Sequence, residues 1–457
     1  MTEIKRYWLP SGVYSFLINV VLFISGFAGF VLLVRFYSKS EFGAWALYLA
    51  VTSFADVARA GFVTNALVRY ASTQNSKNEY SKVLSGSLFL HILFTLILML
   101  VVFLIAPFVG KIYSSYEFYK LLIYYPIYAI CQIPFLYLSA IEQANLSFRN
   151  QYYSNLLRNM LFIGMIAYIV ISKENFPVYY LPFLQSISVL VGGFYLFFSL
   201  RRKIIISKNI DIKWLAKLID FGKYVFGANS VSILFTNIDQ ILLGYFYNTK
   251  IVATYNTAMR IGNFSDIPMT SVASIVYPKS GQRLQAIGLK GLRHIYERSV
   301  GLILAFVIPS LIFLVIFIEP IVKIIATEAY LDAIPVIYFI LLFSLFKPFI
   351  KYFGIAVETL EKPYYNFNLM VILLLLNFIL DLFLIPRLNL IGAALGSLIS
   401  LIIGMIVSLL ILKKLLDVRL GRIFRYIFDS YLQVVEFIIF FNEYKEAFEE
   451  KMREEDE

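Results

Sequence analysis

The sequence is poor in the residues from which soluble active sites are built. It holds one cysteine, Cys131, and two histidines, His91 and His294, in 457 residues. A single thiol in an apolar run closes no internal disulfide, and neither histidine has a partner at ligand spacing. A zinc cluster and a haem site are therefore excluded. There is no G-x-x-x-x-G-K-[ST] loop for ATP hydrolysis of the P-loop kind, no G-x-S-x-G elbow and no H-E-x-x-H helix. Charge is scarce as well: 15% of the residues are Asp, Glu, Lys or Arg, against about a quarter in soluble domains. The polar stretches are too short to house a soluble catalytic domain. The chain is expected not to be an enzyme and to carry neither metal nor cofactor.

What is present is apolar. The chain is 60% hydrophobic and 17% aromatic, a composition for which the solvent is a bilayer. A membrane helix needs about 20 apolar residues, and about twelve such runs can be read. The first six lie near Tyr14–Val34, Phe42–Leu67, Val83–Val109, Tyr119–Ala140, Leu156–Ser172 and Tyr179–Leu200. The other six lie near Tyr224–Tyr245, Ala253–Val276, Val300–Ile318, Leu331–Val357, Phe367–Ile385 and Ile391–Leu412. The start, "MTEIKRYWLPSGVYSF", runs on without a cleavage site and reads as a first membrane helix rather than a signal peptide. Alternate connections are basic ("RRKIIISKNIDIKWLAK", "PKSGQRLQAIGLKGLRHIYER", "LKKLLDVRLGRIFR"), and the others ("YNTK", "SKEN", "PRLN") are nearly free of lysine and arginine. By the positive-inside rule both termini are cytosolic. The net charge of +11 then reflects topology, not nucleic-acid binding.

The basic stretch from Arg201 to Lys223 divides the spans six and six. "RFYSKSEFGAWALYLAVTSFAD" aligns without gaps on "YFYNTKIVATYNTAMRIGNFSD", placing Asp56 over Asp266. An even span count per half makes this a parallel repeat, with a substrate site expected between the halves near mid-membrane. The expected organisation is all-α: residues 1–210 form one six-helix bundle, 211–419 a second, and 420–457 a cytosolic amphipathic helix and acidic tail. In "IFRYIFDSYLQVVEFIIFFN", Arg425, Asp429 and Glu436 interrupt the apolar residues, which favours a surface helix. A thirteenth span over residues 423–442 is the lesser reading.

Ionised groups inside a membrane are costly and mostly face a cavity or one another. They are Asp56, Arg59, Asp239, Arg260, Asp266, Lys347, Lys351 and Asp381, with Arg35 and Glu358 near span ends. Asp56 can pair with Arg59 along one helix, and Asp239 with Arg260 on the next. Lys347 and Lys351 differ: four apart, they crowd one face, and two cations held together suggest a shared anion such as a phosphate or diphosphate. The alternative is that both snorkel to headgroups. Pro126, Pro134, Pro268, Pro335 and Pro348 fall within spans and would permit kinks.

Three stretches carry a resemblance. "RFYSKSEFGAWALYLAVTSFADVARAGFVTNALVRYAS", "NIDQILLGYFYNTKIVATYNTAMRI" and "NFILDLFLIPRLNLIGAALGSLIS" resemble, in order, patterns of the lipid-linked oligosaccharide flippases. These are the polysaccharide-transporter branch of the multidrug/oligosaccharidyl-lipid/polysaccharide (MOP) superfamily. The likeness spans most of Gly12 to Leu412; Ala253 replaces a usual glycine, and nothing after Leu420 matches. It implies a MATE-like fold of two six-helix bundles. It further implies translocation of an undecaprenyl-diphosphate-linked repeat unit, for O-antigen, lipopolysaccharide or another polysaccharide, across the bacterial inner membrane by alternating access. On that reading Lys347, Lys351, Arg59, Arg260 and Arg35 would contact diphosphate or sugar in the cavity. Asp56, Asp239, Asp266 and Glu358 would be cavity or cation-coupling acids, with sodium or protons as the driving ion. A polysaccharide polymerase and chain-length machinery would be partners. A sodium- or proton-coupled multidrug antiporter of the MATE type is the alternative; it would favour lone buried acids over a lysine pair.

Overall fold

A computed structural model of the chain describes residues 2–433 except 75, 146, 174, 203, 206, 208 and 209. Side chains are described from residue 13 onward, apart from 224 and 228. Among the described residues there is no strand. The helices are α1 Thr2–Phe36, α2 Lys39–Arg59, α3 Asn65–Ala71, α4 Lys77–Ile112, α5 Tyr116–Ala144, α6 Arg149–Ser172 and α7 Leu181–Leu200. They continue as α8 Ile212–Phe246, α9 Thr249–Gly262, α10 Asp266–Ile287, α11 Leu289–Ala326, α12 Ile334–Thr359, α13 Tyr364–Leu388 and α14 Leu390–Leu416. Residues 420–433 are also helical. Among the described residues, ten helical segments are long and apolar enough to cross a membrane. Their outer faces carry exposed apolar residues, as on α4 at Leu96, Leu100 and Phe108. Water would not tolerate such a surface, whereas lipid does.

The sequence predicts about twelve spans, whereas α8, α9 and α10, which hold the runs Tyr224–Tyr245 and Ala253–Val276, are not among the ten segments. Three further differences are local. The run Ala253–Val276 is not one helix: α9 ends at Gly262, residues 263–265 form a turn, and α10 starts at Asp266. Gly262 and Asn263 weaken the helix there, and Pro268 sits in the first turn of α10, where its missing N–H costs nothing. Pro335 likewise opens α12 instead of interrupting a span. Third, the basic stretch 278–298 is not a loop but lies in α10 and α11, broken only at Gly288, and the stretch after Arg201 turns helical from Ile212. Trp214, in the first turn of α8, donates to Glu79 Oε2 at 2.7 Å, and Lys82 bridges Glu79 at 2.8 Å and Asp211 at 3.4 Å.

Two compact units result. One is Met1–Thr257 with Lys323–Asp332; the other is Ala258–Val322 with Ala333–Glu457. The division at residues 210 and 211 expected from the repeat remains a proposal about sequence halves. In the first unit α2 begins with a capping box, in which Ser38 and Glu41 satisfy each other's backbone N–H. α2 passes into a π-helical turn at Ala60–Thr64, and α8 crosses close to it. A Cβ on Gly61 would overlap the Phe226 backbone, and one on Gly222 the Phe62 backbone. Phe62 stacks on Phe226 at 4.5 Å and on Phe94 at 4.6 Å, sealing the crossing. Gly61→Val is expected to force this crossing apart at about 1–3 kcal/mol. The check is a lower melting temperature in detergent; an unchanged one would show the crossing to be slack. The segment Lys323–Asp332 belongs to this unit through Lys39, whose ammonium is 2.7 Å from Asp332 and lies over the Tyr330 ring.

In the second unit α12 packs against α10, α13 and α14. α13 and α14 approach closely because small residues line the contact: a Cβ on Gly392 would meet the Leu384 carbonyl, and one on Gly396 the Asp381 carboxylate. Residues 420–433 lie against α11, with Ile423 and Ile427 buried. The expected continuation from residue 434, including the acidic tail, lies outside the described residues.

Candidate functional site

The break between α9 and α10 is where polar groups converge in the second unit. Ending a helix in a span exposes backbone that must find partners, and broken helices in transporters do so where they line a cavity. Here the groups at the break are met by α12. Lys347 donates to Asn263 Oδ1 at 2.8 Å and to the two Asp266 carboxylate oxygens at 2.9 and 3.2 Å. The Lys347 side chain is 20% exposed and that of Asp266 45%, so the pair is open on the acid's side. Tyr352, buried one turn further on, donates to the Met269 carbonyl at 3.1 Å and fixes α10 against α12.

Lys351 follows Lys347 by four residues and is exposed, although its neighbours Ile350, Tyr352 and Phe353 are buried. Among the described residues it makes no hydrogen bond or ion pair. Glu358 is also exposed and, among the described residues, accepts only a long contact from Asn366 at 3.5 Å. The two lysines therefore do not share one environment. Lys347 is balanced by Asp266, and Lys351 carries the uncompensated charge.

In the first unit the pairing expected along α2 is present. Arg59 is fully buried and donates to Asp56, to Gln132 Oε1 and, at 3.1 Å, to the Ala129 carbonyl. The Asp56 side chain is 34% exposed. Arg59 thus holds Asp56 in place from behind. Arg158, whose guanidinium stacks over Phe135 at 4.4 Å, and Gln132 are polar neighbours that sequence reasoning missed.

Asp239 is buried and accepts from the Tyr255 hydroxyl; beside it Asn256 donates to Gln240 Oε1 at 2.9 Å, so two adjacent pairs tie α8 to α9. Arg35 is exposed and donates to the Ile324 carbonyl at 3.2 Å. Arg260 is exposed. Asp381 is fully buried with Asn377 beside it at 3.4 Å, and Ser400 donates to Asn377 at 3.5 Å.

A further polar stripe runs along α4. Ser87, His91 and Thr95, four apart on α4, are all buried, and among the described residues Ser87 Oγ, both His91 ring nitrogens and Thr95 Oγ1 have no hydrogen-bond partner. A desolvated, unpartnered imidazole costs about 1–3 kcal/mol. His91→Leu is expected to raise the melting temperature; a fall would mean that the ring has a partner worth keeping. Among the described residues no group of three or more His, Cys, Asp or Glu could hold a metal ion.

Comparison with known proteins now adds to this geometry. The pattern of the family described as "Polysaccharide biosynthesis protein" matches residues 32–335. An uncharacterized membrane protein of Methanocaldococcus jannaschii, MJ1068, is 24% identical over 402 residues, covering 83% of this chain and 78% of its own. "Probable flippase AglR" of Haloferax volcanii is 25% identical over 199 residues, covering 43% of this chain and 42% of its own. The match to AglR therefore spans less than half of either protein. Among solved structures, an inward-facing multidrug-resistance MATE family transporter of the MOP superfamily superposes with a TM-score of 0.74 at 14% identity. It covers 87% of this chain and 94% of the other. Lipid II flippase MurJ, in an inward closed conformation, superposes with a TM-score of 0.72 at 18% identity, covering 95% and 93%. At these identities the two structures establish the fold.

Proposed function

Because this chain belongs to the polysaccharide biosynthesis protein family, we propose that it is a MOP-superfamily flippase moving a lipid-linked glycan between leaflets. The carrier we assign is a polyprenyl diphosphate, of the undecaprenyl kind if the cell is bacterial. The observation that carries the reading is the cationic turn of α12, where Lys347 spans the α9–α10 break and Lys351 stands open one turn away.

Asp266 acts here as a stand-in for the substrate. Its carboxylate occupies Lys347 when no anion is present, so the ammonium never sits unpaired in the membrane. A diphosphate would engage Lys351 first and then exchange with Asp266 at Lys347. Exchange leaves the number of ion pairs unchanged. Binding is therefore tight enough to select the anion and weak enough to release it at the other face. Arg59 would act through Asp56. Arg35 and Arg260, both exposed, would contact the outer parts of the substrate.

No ATP site is part of this scheme. The driving force would be a sodium or proton gradient acting on Asp56, Asp239, Asp266 or Glu358, with alternating access between two sequence halves, residues 1–210 and 211–419. Both termini would be cytosolic and the chain would sit in the cytoplasmic membrane, handing its product to a polymerase and chain-length machinery.

The MATE likeness favours a second reading, a cation-coupled multidrug antiporter. The two readings differ in the charge of the ligand. Undecaprenyl diphosphate added to the purified protein at about 100 times its dissociation constant is expected to stabilise it by roughly 2.7 kcal/mol. A cationic dye should not. Stabilisation by the dye and not by the diphosphate would reverse the assignment.

A further inference from the structure

Residues 420–433 present three distinct sides. One side packs on α11: Ile423 and Ile427 are 1% and 4% exposed, and Gly301 lets the Tyr426 backbone and side chain come close. Polar contacts fix that side. His294 Nδ1 pairs with the Tyr426 hydroxyl at 2.8 Å, and the buried Glu297 accepts from Arg419 N at 3.1 Å and Arg422 Nη1 at 3.4 Å. The second side is apolar and bare. Leu420, Phe424, Phe428 and Leu432, spaced by four, are 45%, 56%, 66% and 61% exposed. At 100° per residue they form one continuous stripe. The third side, next to that stripe, carries exposed Arg425 and half-buried Asp429.

A bare stripe of two phenylalanines and two leucines would be an aggregation hazard in water. Here it follows directly on α14, a membrane-crossing helix whose last turn carries Lys413 and Lys414. The helices next to it also expose apolar side chains, α11 at Leu302 and Phe306 and α14 at Leu410. Beside the stripe Arg425 stands with Asp429, and the exposed Lys413, Lys414 and Arg419, in the last turn of α14 and just after it, make the local balance positive. An apolar face edged by arginine at a membrane boundary matches acyl chains below and anionic headgroups beside them.

We infer that residues 420–433 form an interfacial helix, docked on α11, that binds the anionic surface of the bilayer. Phe424 and Phe428 enter the acyl boundary and Arg425 meets lipid phosphate. This inference needs the chain to be in a membrane but is independent of what it transports. It differs from a thirteenth span in geometry: a span would carry each successive fourth residue about 6 Å deeper, whereas an interfacial helix keeps the stripe at one depth. It would also bury Arg425 and Asp429 in acyl chains, at a cost the interfacial position avoids.

The chain's single cysteine makes the test clean. In a full-length Cys131→Ala background, single cysteines at 423, 424, 427, 428, 429 and 432 are spin-labelled. Each is reconstituted in vesicles of phosphatidylcholine with or without phosphatidylglycerol. With phosphatidylglycerol, labels at 424, 428 and 432 are expected to collide with oxygen and not with an aqueous nickel chelate. They should share one depth, about 5–10 Å below the phosphates. Labels at 423 and 427 should be shielded from both reagents, and 429 open to nickel. Arg425→Gln should reduce the preference for anionic vesicles about five-fold. Three results would each overturn the inference: nickel access at 424 and 428, shielding of both from oxygen, or depth increasing from 424 to 432. Equal immersion with and without phosphatidylglycerol would remove the anionic part.

Discussion

Lys347→Gln combined with Lys351→Gln is expected to abolish glycan export while the protein still inserts and folds. On the proposed reading each lysine would offer the diphosphate a charge-assisted contact of about 1.5–3 kcal/mol. Losing both removes roughly 3–6 kcal/mol, a fall of about 10²–10⁴ in transport. The single variants should differ. Lys351→Gln removes an ammonium with no partner among the described residues and should lower affinity without affecting stability. Lys347→Gln also strands Asp266, whose side chain is partly exposed, so a modest loss of stability should accompany the loss of export. Asp266→Asn has the opposite sense at the site: it frees Lys347 for the anion, so binding should tighten while turnover slows. Export in a flippase-null strain, normalised to membrane-inserted protein, measures all four. Full complementation by the double variant would remove the lysines from the site.

The second large effect concerns folding of the first unit. Arg59 is wholly buried and engages Asp56, Gln132 and the Ala129 carbonyl. Removing one partner of a buried ion pair costs about 3–5 kcal/mol, because the other charge is left uncompensated. Arg59→Met should therefore yield little folded protein. Asp56→Asn added to Arg59→Met should restore much of that loss, since no charge then remains. Export by the restored double variant separates the roles. Activity near wild type would make the pair structural, and folded but inactive protein would show that the Asp56 carboxylate is needed at the cavity. Thermal melts of the wild type, Arg59→Met, Asp56→Asn and the double variant in one detergent give the coupling energy directly.

Much of the architecture could be read from composition and period, because a bilayer imposes one rule on every span. Backbone groups must pair within the segment, so apolar runs of sufficient length become helices. The membership of Asp56 and Arg59 in one pair followed from their spacing. What escaped the sequence was long-range or small-scale. The break at residues 263–265 lies in a run apolar enough to pass for one span; its cause is the local sequence Gly262–Asn263 with Pro268 just beyond, a weak signal without knowledge of Lys347. The pairing of Lys347 with Asp266 joins residues far apart in sequence. Spacing of four put Lys347 beside Lys351 and made their mutual repulsion look like the dominant fact. Gln132 and Arg158 were hidden because a polar residue in a helix says nothing about which helix it faces. The packing of Lys323–Asp332 on α2 depends on Lys39 and Tyr330, a contact no periodicity encodes.

The most direct test of the account is translocation itself. Purified protein would be reconstituted in vesicles containing a polyprenyl-diphosphate oligosaccharide with a fluorescent sugar, and a membrane-impermeant reagent would quench the outer leaflet over time. The account predicts that wild-type protein exposes the inner-leaflet pool, that Lys347→Gln with Lys351→Gln slows this to the protein-free rate, and that a cationic dye is not moved. Equal rates for the wild type and the double variant would contradict it, as would wild-type vesicles that extrude the dye and leave the glycan lipid in place.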